Sequence, residues 1–287
     1  MATRQLTFEA PGGADLTSGS IFFVGTATVL LRYAGFTVLT DPSFLRRGER
    51  VRLGYGLRSR RLTDPALEID ALPPLDLVVL SHLHEDHWDR VAARLPRSLP
   101  VATTPHAAAS LHDQGFVWAQ PLATWESLEC AKGAARLRIT AMPGRHGPRP
   151  VSRLLSPVMG SLLEFETVDG RQMLRLYVTG DTLVHDRIRE VRARYADIDI
   201  ALLHLGGERA LGVRLTMDGA QGADLMRIVQ PRLAIPIHYD DYTVFTSPLS
   251  DFQEAVSEAG LSDRVHYLFR GDTFTFQTPH GRFARTA

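Results

Sequence analysis

Apolar and polar positions come in short bursts near the start of the chain, at residues 21–24, 27–33 and 36–40, punctuated by Gly25 and Gly35 and stopped by Asp41-Pro42. Runs of this length, rich in Val, Leu, Phe and Tyr and bounded by turn residues, predict closely spaced β-strands. A loop rich in Arg and Gly follows from Ser43 to about Thr63. The apolar run 75–80 after it reads as an interior strand. A short helix is expected near 89–95 and a second over 105–114, where Pro105 suits the first turn and Gly115 the end. The second half has the same texture. Strands are expected at 136–142, 158–166, 173–178, 198–203, 233–237, 265–269 and 273–276. Helices are expected at 184–195, where Ile188, Val191 and Tyr195 keep a 3-4 spacing, at 217–229, and at 249–259. The last is opened by the capping-box pattern Ser250-Asp251-Phe252-Gln253 and closed by Gly260. No Ser/Pro linker and no repeat of 20–50 residues divides the chain. Interleaved strands and helices predict one α/β domain over residues 1–287, with 1–20 a tail or a first strand.

Composition narrows the function classes. Hydrophobic residues make up 44% of the 287 and charged residues 22%, an ordinary globular balance with enough chain for a sizeable core. Lys+Arg and Asp+Glu are equal at 32 each, so bulk charge gives no pull toward nucleic acid or anionic membranes. The single cysteine, Cys130, excludes an intrachain disulfide and a Cys-rich zinc site, leaving His and carboxylates to make any transition-metal site. No apolar run approaches the roughly 20 residues of a membrane-spanning helix, and the first residues lack the basic-then-apolar pattern of a secretory signal. A cytoplasmic enzyme is the expectation.

The chemistry concentrates in Leu75-Asp76-Leu77-Val78-Val79-Leu80-Ser81-His82-Leu83-His84-Glu85-Asp86-His87. His82 and His84 stand two apart, which in extended chain puts both imidazoles on one side. Asp86 and His87 follow as the chain turns. Three imidazoles and a carboxylate beside an apolar strand are costly to bury unless something satisfies them, and a cation does. Other candidates also stand just past apolar strands: His146 after 137–142, Asp181 after 174–178, and His238 at the end of 233–237. A lone His or Asp at a strand end is ordinarily a loop residue. Four strand ends delivering metal-ligand side chains predict that these ends converge on one edge of the fold.

With these motifs the sequence resembles the metallo-β-lactamase superfamily over about residues 21–276. The family's first motif matches Leu30-Leu31-Arg32-Tyr33-Ala34-Gly35-Phe36-Thr37-Val38-Leu39-Thr40-Asp41, its second His82 to His87, its third His146, its fourth Gly180-Asp181-Thr182 and its fifth His238. The opening Gly25-Thr26-Ala27-Thr28 and the Gly-Asp-Thr signature look closest to the branch that includes L-ascorbate-6-phosphate lactonase and N-acyl-phosphatidylethanolamine phospholipase D. The resemblance implies a four-layer αββα sandwich with two similar halves and a dinuclear site at one edge. His82, His84 and His146 would bind one metal, Asp86, His87 and His238 the other, and Asp181 would bridge them. Asp41 matches a position where a carboxylate orients ligand histidines. Two divalent ions are implied, zinc first, with manganese or iron as alternatives for an all-His/Asp ligand set. His84 sets the chain apart from the electron-transferring di-iron branch, which usually carries Glu there.

The expected activity is that of a hydrolase in which a hydroxide bridging the ions attacks a carbonyl carbon or phosphorus. Asp86 and Asp181 would be its catalytic carboxylates. The general acid is open among His185, His106, His204 and Tyr239, and His185 falls within the expected helix 184–195. Arginine is the substrate clue. Arg46, Arg47, Arg50, Arg52, Arg58, Arg60 and Arg61 follow the first motif, and Arg145, Arg149 and Arg153 surround His146. Solubilising loop charge is the plainer account of any one of them. Arg145 or Arg149, with His185, would grip a phosphate or carboxylate, which suggests a small anionic substrate such as a phosphorylated lactone or other ester. A phosphodiesterase of the same fold and a non-catalytic, metal-stabilised binding protein are the alternatives.

Overall fold

The computed structural model describes residues 4–10, 14–53, 58–278 and 283–285. Among them the strands form two large mixed sheets packed face to face. The first runs, in spatial order, Arg4–Phe8, Ser127–Lys132, Ala135–Pro143, Met159–Thr167, Gln172–Val178, Ile200–His204 and Leu233–Ile237. The second runs Ala284–Arg285, Thr273–Gln277, Ser18–Gly25, Thr28–Tyr33, Phe36–Thr40, Leu77–Val79, Val101–Thr103 and Ala119–Pro121. Helix α1 (Pro105–Asp113) packs on the outer face of the second sheet. Helices α2 (Ile188–Arg194), α3 (Gly219–Val229) and α4 (Leu249–Glu258) cover the first. The result is the αββα sandwich with two strand-rich halves.

Strand alternation explains the layering. Leu163, Leu176, Ile200 and Leu202 point between the sheets, where they meet Ile21, Phe23, Val29 and Leu31 of the other sheet. Their neighbours Leu162, Tyr177, Ala201 and Leu203 point outward and meet Ile188, Ala223, Met226 and Phe252. Every second residue serves one face, so strands buried on both faces read as continuous apolar runs.

Strand direction is what positions the site. Gln172–Val178, Ile200–His204 and Leu233–Ile237 pair in parallel, and Ala135–Pro143 runs the same way because two antiparallel pairings separate it from Gln172–Val178. Phe36–Thr40 and Leu77–Val79 are parallel in the other sheet. The carboxyl ends of these strands therefore open onto a common edge, the usual place for a site in such sheets.

Several expected elements take a different form. Residues 89–95 hold only a 3-10 turn, Ala92–Arg94: Asp89 spends Oδ1 on the backbone N–H groups of Val91 and Ala92 (both 2.8 Å), and Pro96 blocks extension. The helix expected over 184–195 begins only at Ile188, which leaves His185 outside it. The expected capping box of α4 is not formed. Pro248 is its N-cap without a side-chain bond, Ser250 lies inside the helix, and Ser247 instead donates to Asp251 (2.8 Å). Residues 265–269 touch the sheet by a single bridge, Val265 to Ala234, rather than as a strand. The strand expected over 75–80 is shorter, Leu77–Val79, and 217–229 becomes helical at Gly219, capped by Asp218. Within the Arg-rich loop, Arg50–Arg52 and Arg58–Arg60 pair as a small hairpin.

Arg61 is fully buried and is a strut, not a solubilising or substrate-facing charge. Its Nη1 donates to the Ser43 carbonyl (3.1 Å) and hydroxyl (2.8 Å), its Nε donates to the Thr63 carbonyl (3.1 Å), and its guanidinium lies 5.6 Å from the Tyr242 ring centre. It thereby ties the segment after Asp41 to the segment after His238.

Candidate metal centre

Backbone geometry at the shared edge turns the strand ends inward. Asp41 and His238 both adopt positive φ (34° and 61°), an unusual conformation for residues with side chains that is found where surrounding contacts over-determine it. The Asp41 N–H donates to the Val79 carbonyl (3.0 Å) and the His238 N–H to the Thr26 carbonyl (2.9 Å), which fixes both. Gly180, at φ 62°, has the Met159 carbonyl oxygen 2.6 Å from where a Cβ would stand, so only glycine fits before Asp181. Thr182 accepts the Arg145 N–H (2.9 Å), and the Leu183 N–H donates to the Arg145 carbonyl (2.9 Å). These bonds lock the His146 loop beside Asp181.

All seven expected ligands meet there, each buried. His82, His84 and His146 form one group whose ligand atoms lie within 4.8 Å of one another, with His82 Nε2 3.0 Å from His84 Nδ1. Asp86, His87, Asp181 and His238 form a second. In it His87 Nε2 is 3.2 Å from Asp181 Oδ2 and 3.8 Å from Asp86 Oδ2, and His238 Nε2 is 3.5 Å from Asp86 Oδ2. Donors sharing an ion at bonds of about 2.0–2.2 Å stand roughly 3–4 Å apart, so the spacing fits. Asp86 Oδ1, His87 Nε2, His146 Nε2, Asp181 Oδ1 and His238 Nε2 are buried without a well-aligned hydrogen bond. Buried polar atoms normally find partners, and a cation would satisfy these. The clusters can therefore hold one or two divalent ions.

Asp41 stands behind the ligands. It accepts from the Ser81 N–H (2.7 Å) and hydroxyl (2.9 Å), and its two oxygens lie 3.6 Å from His87 Nδ1 and 3.4 Å from His204 Nε2. Burial would push its carboxyl up, but His87 and His204 outweigh that and hold it at about 2. His204 stacks on His87 with ring centres 5.9 Å apart.

Sequence reasoning missed Glu208. It is buried in a third donor group with His146 and Asp181, its Oε2 3.8 Å from His146 Nε2. Burial, with the carboxylates of Asp86 and Asp181 adding to it, raises its carboxyl to about 8. The signal was present: Glu208 also follows an apolar strand, separated from Ile200–His204 by Leu205-Gly206-Gly207.

Beside His146 opens a cleft of about 580 Å³ lined by Arg145, Arg149, Arg153, Arg187 and His185. None of the arginines of residues 46–61 lines it. Arg46 pairs with Glu68 (3.0 Å) instead. Burial, with Arg145 and Arg187 adding to it, lowers His185 to about 4. The other open histidine and tyrosine fall elsewhere: His106 is exposed on the first turn of α1, and Tyr239 is buried against the core under α3 and α4.

A family profile described as "Beta-lactamase superfamily domain" matches residues 37–239, which hold every donor named above. The chain belongs to the metallo-β-lactamase superfamily. Among superfamily relatives, it is 26% identical over 246 residues to a metal-dependent hydrolase of Carboxydothermus hydrogenoformans, covering 85% of this chain and 95% of that one. It is 23% identical over 192 residues to one of Pyrococcus furiosus (66% and 77%). Solved structures share the fold. An isothiocyanate hydrolase from Delia radicum gut bacteria matches with TM-score 0.74 and 20% identity over 93% of this chain and 100% of that one. A possible metal-dependent hydrolase of Veillonella parvula matches with TM-score 0.74 and 23% identity over 91% and 99%. No helix of the described residues is long and apolar enough to cross a membrane.

Proposed function

We propose that this superfamily member is a dinuclear-metal-dependent hydrolase of a small anionic substrate, a phosphorylated lactone or comparable ester. The observation that carries the reading is the adjacency of seven buried donors, five of which have atoms lacking aligned partners, to a cleft lined by four arginines. His82, His84 and His146 would hold one ion, Asp86, His87 and His238 the other, and Asp181 both. When bound, zinc, or manganese or iron in its place, would supply Lewis acidity and a water acidified enough to attack near neutral pH.

The remaining work falls to the chain's own groups. Arg145 and Arg149 would grip the anionic end and orient the scissile bond toward the donors, their forked guanidinium groups matching a phosphate or carboxylate. His185, neutral in this setting, presents an Nε2 without a hydrogen-bond partner and would bind the substrate's polar atoms. Asp41 and His204 would keep the His87 ring in place. The likeness to the lactonase branch supports a lactone. The hydrolytic relatives support hydrolysis in general, and the isothiocyanate hydrolase of like fold places electrophilic carbon substrates in the same screen.

The test is to measure metal per chain after gentle purification and then turnover of phosphorylated lactones, phosphodiesters and isothiocyanates. Two equivalents of metal and preferential lactone or ester hydrolysis support the proposal. Preferential phosphodiester cleavage replaces its substrate class. A metal-loaded chain inert toward all of them would establish a binding protein instead.

A further inference from the structure

Glu208 has no part in the motif set that identifies the superfamily, yet the fold builds a place for it. After Ile200–His204 the chain turns through Gly206 and Gly207, both at positive φ (96° and 58°). At Gly206 the His238 carbonyl oxygen lies 2.6 Å from where a Cβ would stand. Returning chain pairs with this segment: Gly207 N–H donates to the Met217 carbonyl (2.9 Å) and Leu215 N–H to the Glu208 carbonyl (2.8 Å). Arg209–Ala210 then continues as a hairpin with Val213–Arg214. This ladder fixes the backbone of Glu208 and brings Thr216 beside it. The Thr216 hydroxyl stands 3.4 Å from Glu208 Oε2 and 3.4 Å from Asp181 Oδ2, so its one proton can serve only one carboxylate at a time. Among the described residues no Lys or Arg is within ion-pair distance of Glu208. Its one such contact is His146 Nε2 at 3.8 Å, an atom that itself lacks an aligned hydrogen bond. A carboxylate buried this completely ordinarily has a cation or several donors.

We propose that Glu208 is an additional oxygen ligand to the ion held by His82, His84 and His146, a role that rests on the dinuclear reading above. Its Oε2 stands 3.8 Å from His146 Nε2, in the roughly 3–4 Å window expected of two donors on a common ion, and its donor group shares His146 with the trio of imidazoles and Asp181 with the other group. The consequence is chemical. Three imidazoles with the oxygens of Asp181 and Glu208 exceed the four donors of an ordinary zinc site, and the extra hard oxygen suits manganese or iron.

Metal-free wild type and Glu208→Gln would each be titrated with Mn(II) alone and Zn(II) alone by calorimetry. Both would also be loaded with Co(II) for visible absorption, which intensifies when a cobalt centre loses a ligand. The expected result is Mn(II) binding weakened by about ten-fold or more in Glu208→Gln, with a smaller change for Zn(II) and stronger Co(II) bands. Should Glu208→Gln fail to fold, Glu208→Asp, which keeps the carboxylate but shortens its reach, is expected to show the same changes in smaller degree. Two ions in wild type with unchanged affinities and spectrum in the variant overturn this proposal alone. A wild type that takes up no metal overturns it together with the dinuclear reading.

Discussion

The trio His82, His84 and His146 and the quartet Asp86, His87, Asp181 and His238 grow from the same strand-end loops, lie side by side and are equally buried, yet their charges are opposite in character. In the trio, burial pushes every member down, with neighbouring imidazoles adding to it at His82 and His146, the latter to about 4, and with Asp86 working against it at His84. In the quartet, burial works against ionisation, but each group faces opposite charge that outweighs it. Asp181 is held well below the usual carboxylate range by His238 and His87, and Asp86 is lowered by His87. His87 is raised well above the usual histidine range by Asp181, Asp86 and Asp41, and His238 is raised by Asp181. Without metal the quartet is neutralised internally by protons. A cation entering the trio displaces at most the proton on Glu208, whereas one entering the quartet must displace those on both His87 and His238.

Removing the shared member is the harshest way to break this contrast. Asp181→Ala should drop bound metal from two equivalents to below one, because both ions lose a ligand. His82→Ala should keep the quartet's ion. Elemental analysis of both variants decides it, and His82→Ala losing both ions would show the two groups to be inseparable.

The next largest effect is on pH dependence. Protonated His87 and His238 both oppose metal binding in the quartet, so its affinity should fall by up to about 100-fold per pH unit on acidification below their raised pKa values. The trio's ion should fall by no more than about ten-fold per pH unit below about 8, because burial already lowers its imidazoles and Glu208, raised to about 8, is the one group there that would have to lose a proton. Calorimetry in buffers of differing ionisation enthalpy would count the protons: at most one, from Glu208, for one ion and up to two for the other. Equal release at both steps would contradict the contrast.

A smaller effect sharpens it. His204 touches only the quartet's side, through Asp41 and the face of His87. His204→Ala should weaken the quartet's ion by about ten-fold and leave the trio's ion unchanged, as loss of an orienting partner does. Equal weakening of both ions would mean that His204 supports the loop and not the His87 ring.

The elements and donors legible in the sequence were those written locally. His82, His84, Asp86 and His87 lie in one run beside an apolar strand, and His146, Asp181 and His238 each directly follow one. Their convergence then depends only on parallel strand direction. What was not legible depends on distant partners. Arg4–Phe8 and Ser127–Lys132 are strands chiefly because they pair with each other and, for the latter, with Ala135–Pro143. Residues 265–269 have strand composition but only one bridge to the sheet edge. Asp89 looked like part of a helix and is instead bonded to the loop at Leu45 (2.7 Å), 44 residues away. Glu208 was hidden by the two glycines and the ladder with residues 215–217 that carry it into the site.

The smallest effect tests the electrostatic half of the comparison on a carboxylate with the opposite fate. Asp199 immediately precedes the strand that ends at His204, so it lies at the far end from the donors. It too is buried, but among the described residues no imidazole is a leading influence on it. It accepts the Arg175 N–H (2.9 Å), and Arg232 stands 3.6 Å away on the surface. Burial therefore wins, and its carboxyl rises from 3.8 to about 6, where the same burial at Asp181 is overcome by histidines. A raised folded-state value means that the native state binds the proton more tightly than the unfolded chain. The stabilising contribution is full below about 3.8 and is lost as pH climbs through about 6. Asp199→Asn keeps an oxygen to accept the Arg175 N–H and removes the buried charge. It should be more stable than wild type by about 1–2 kcal/mol at pH 8, with the gain shrinking toward zero near pH 4, as read by denaturant unfolding of the metal-free chains. A variant that is less stable at pH 8 would show that the Arg232 contact outweighs burial. Burial would then not be the force that the quartet's histidines have to overcome.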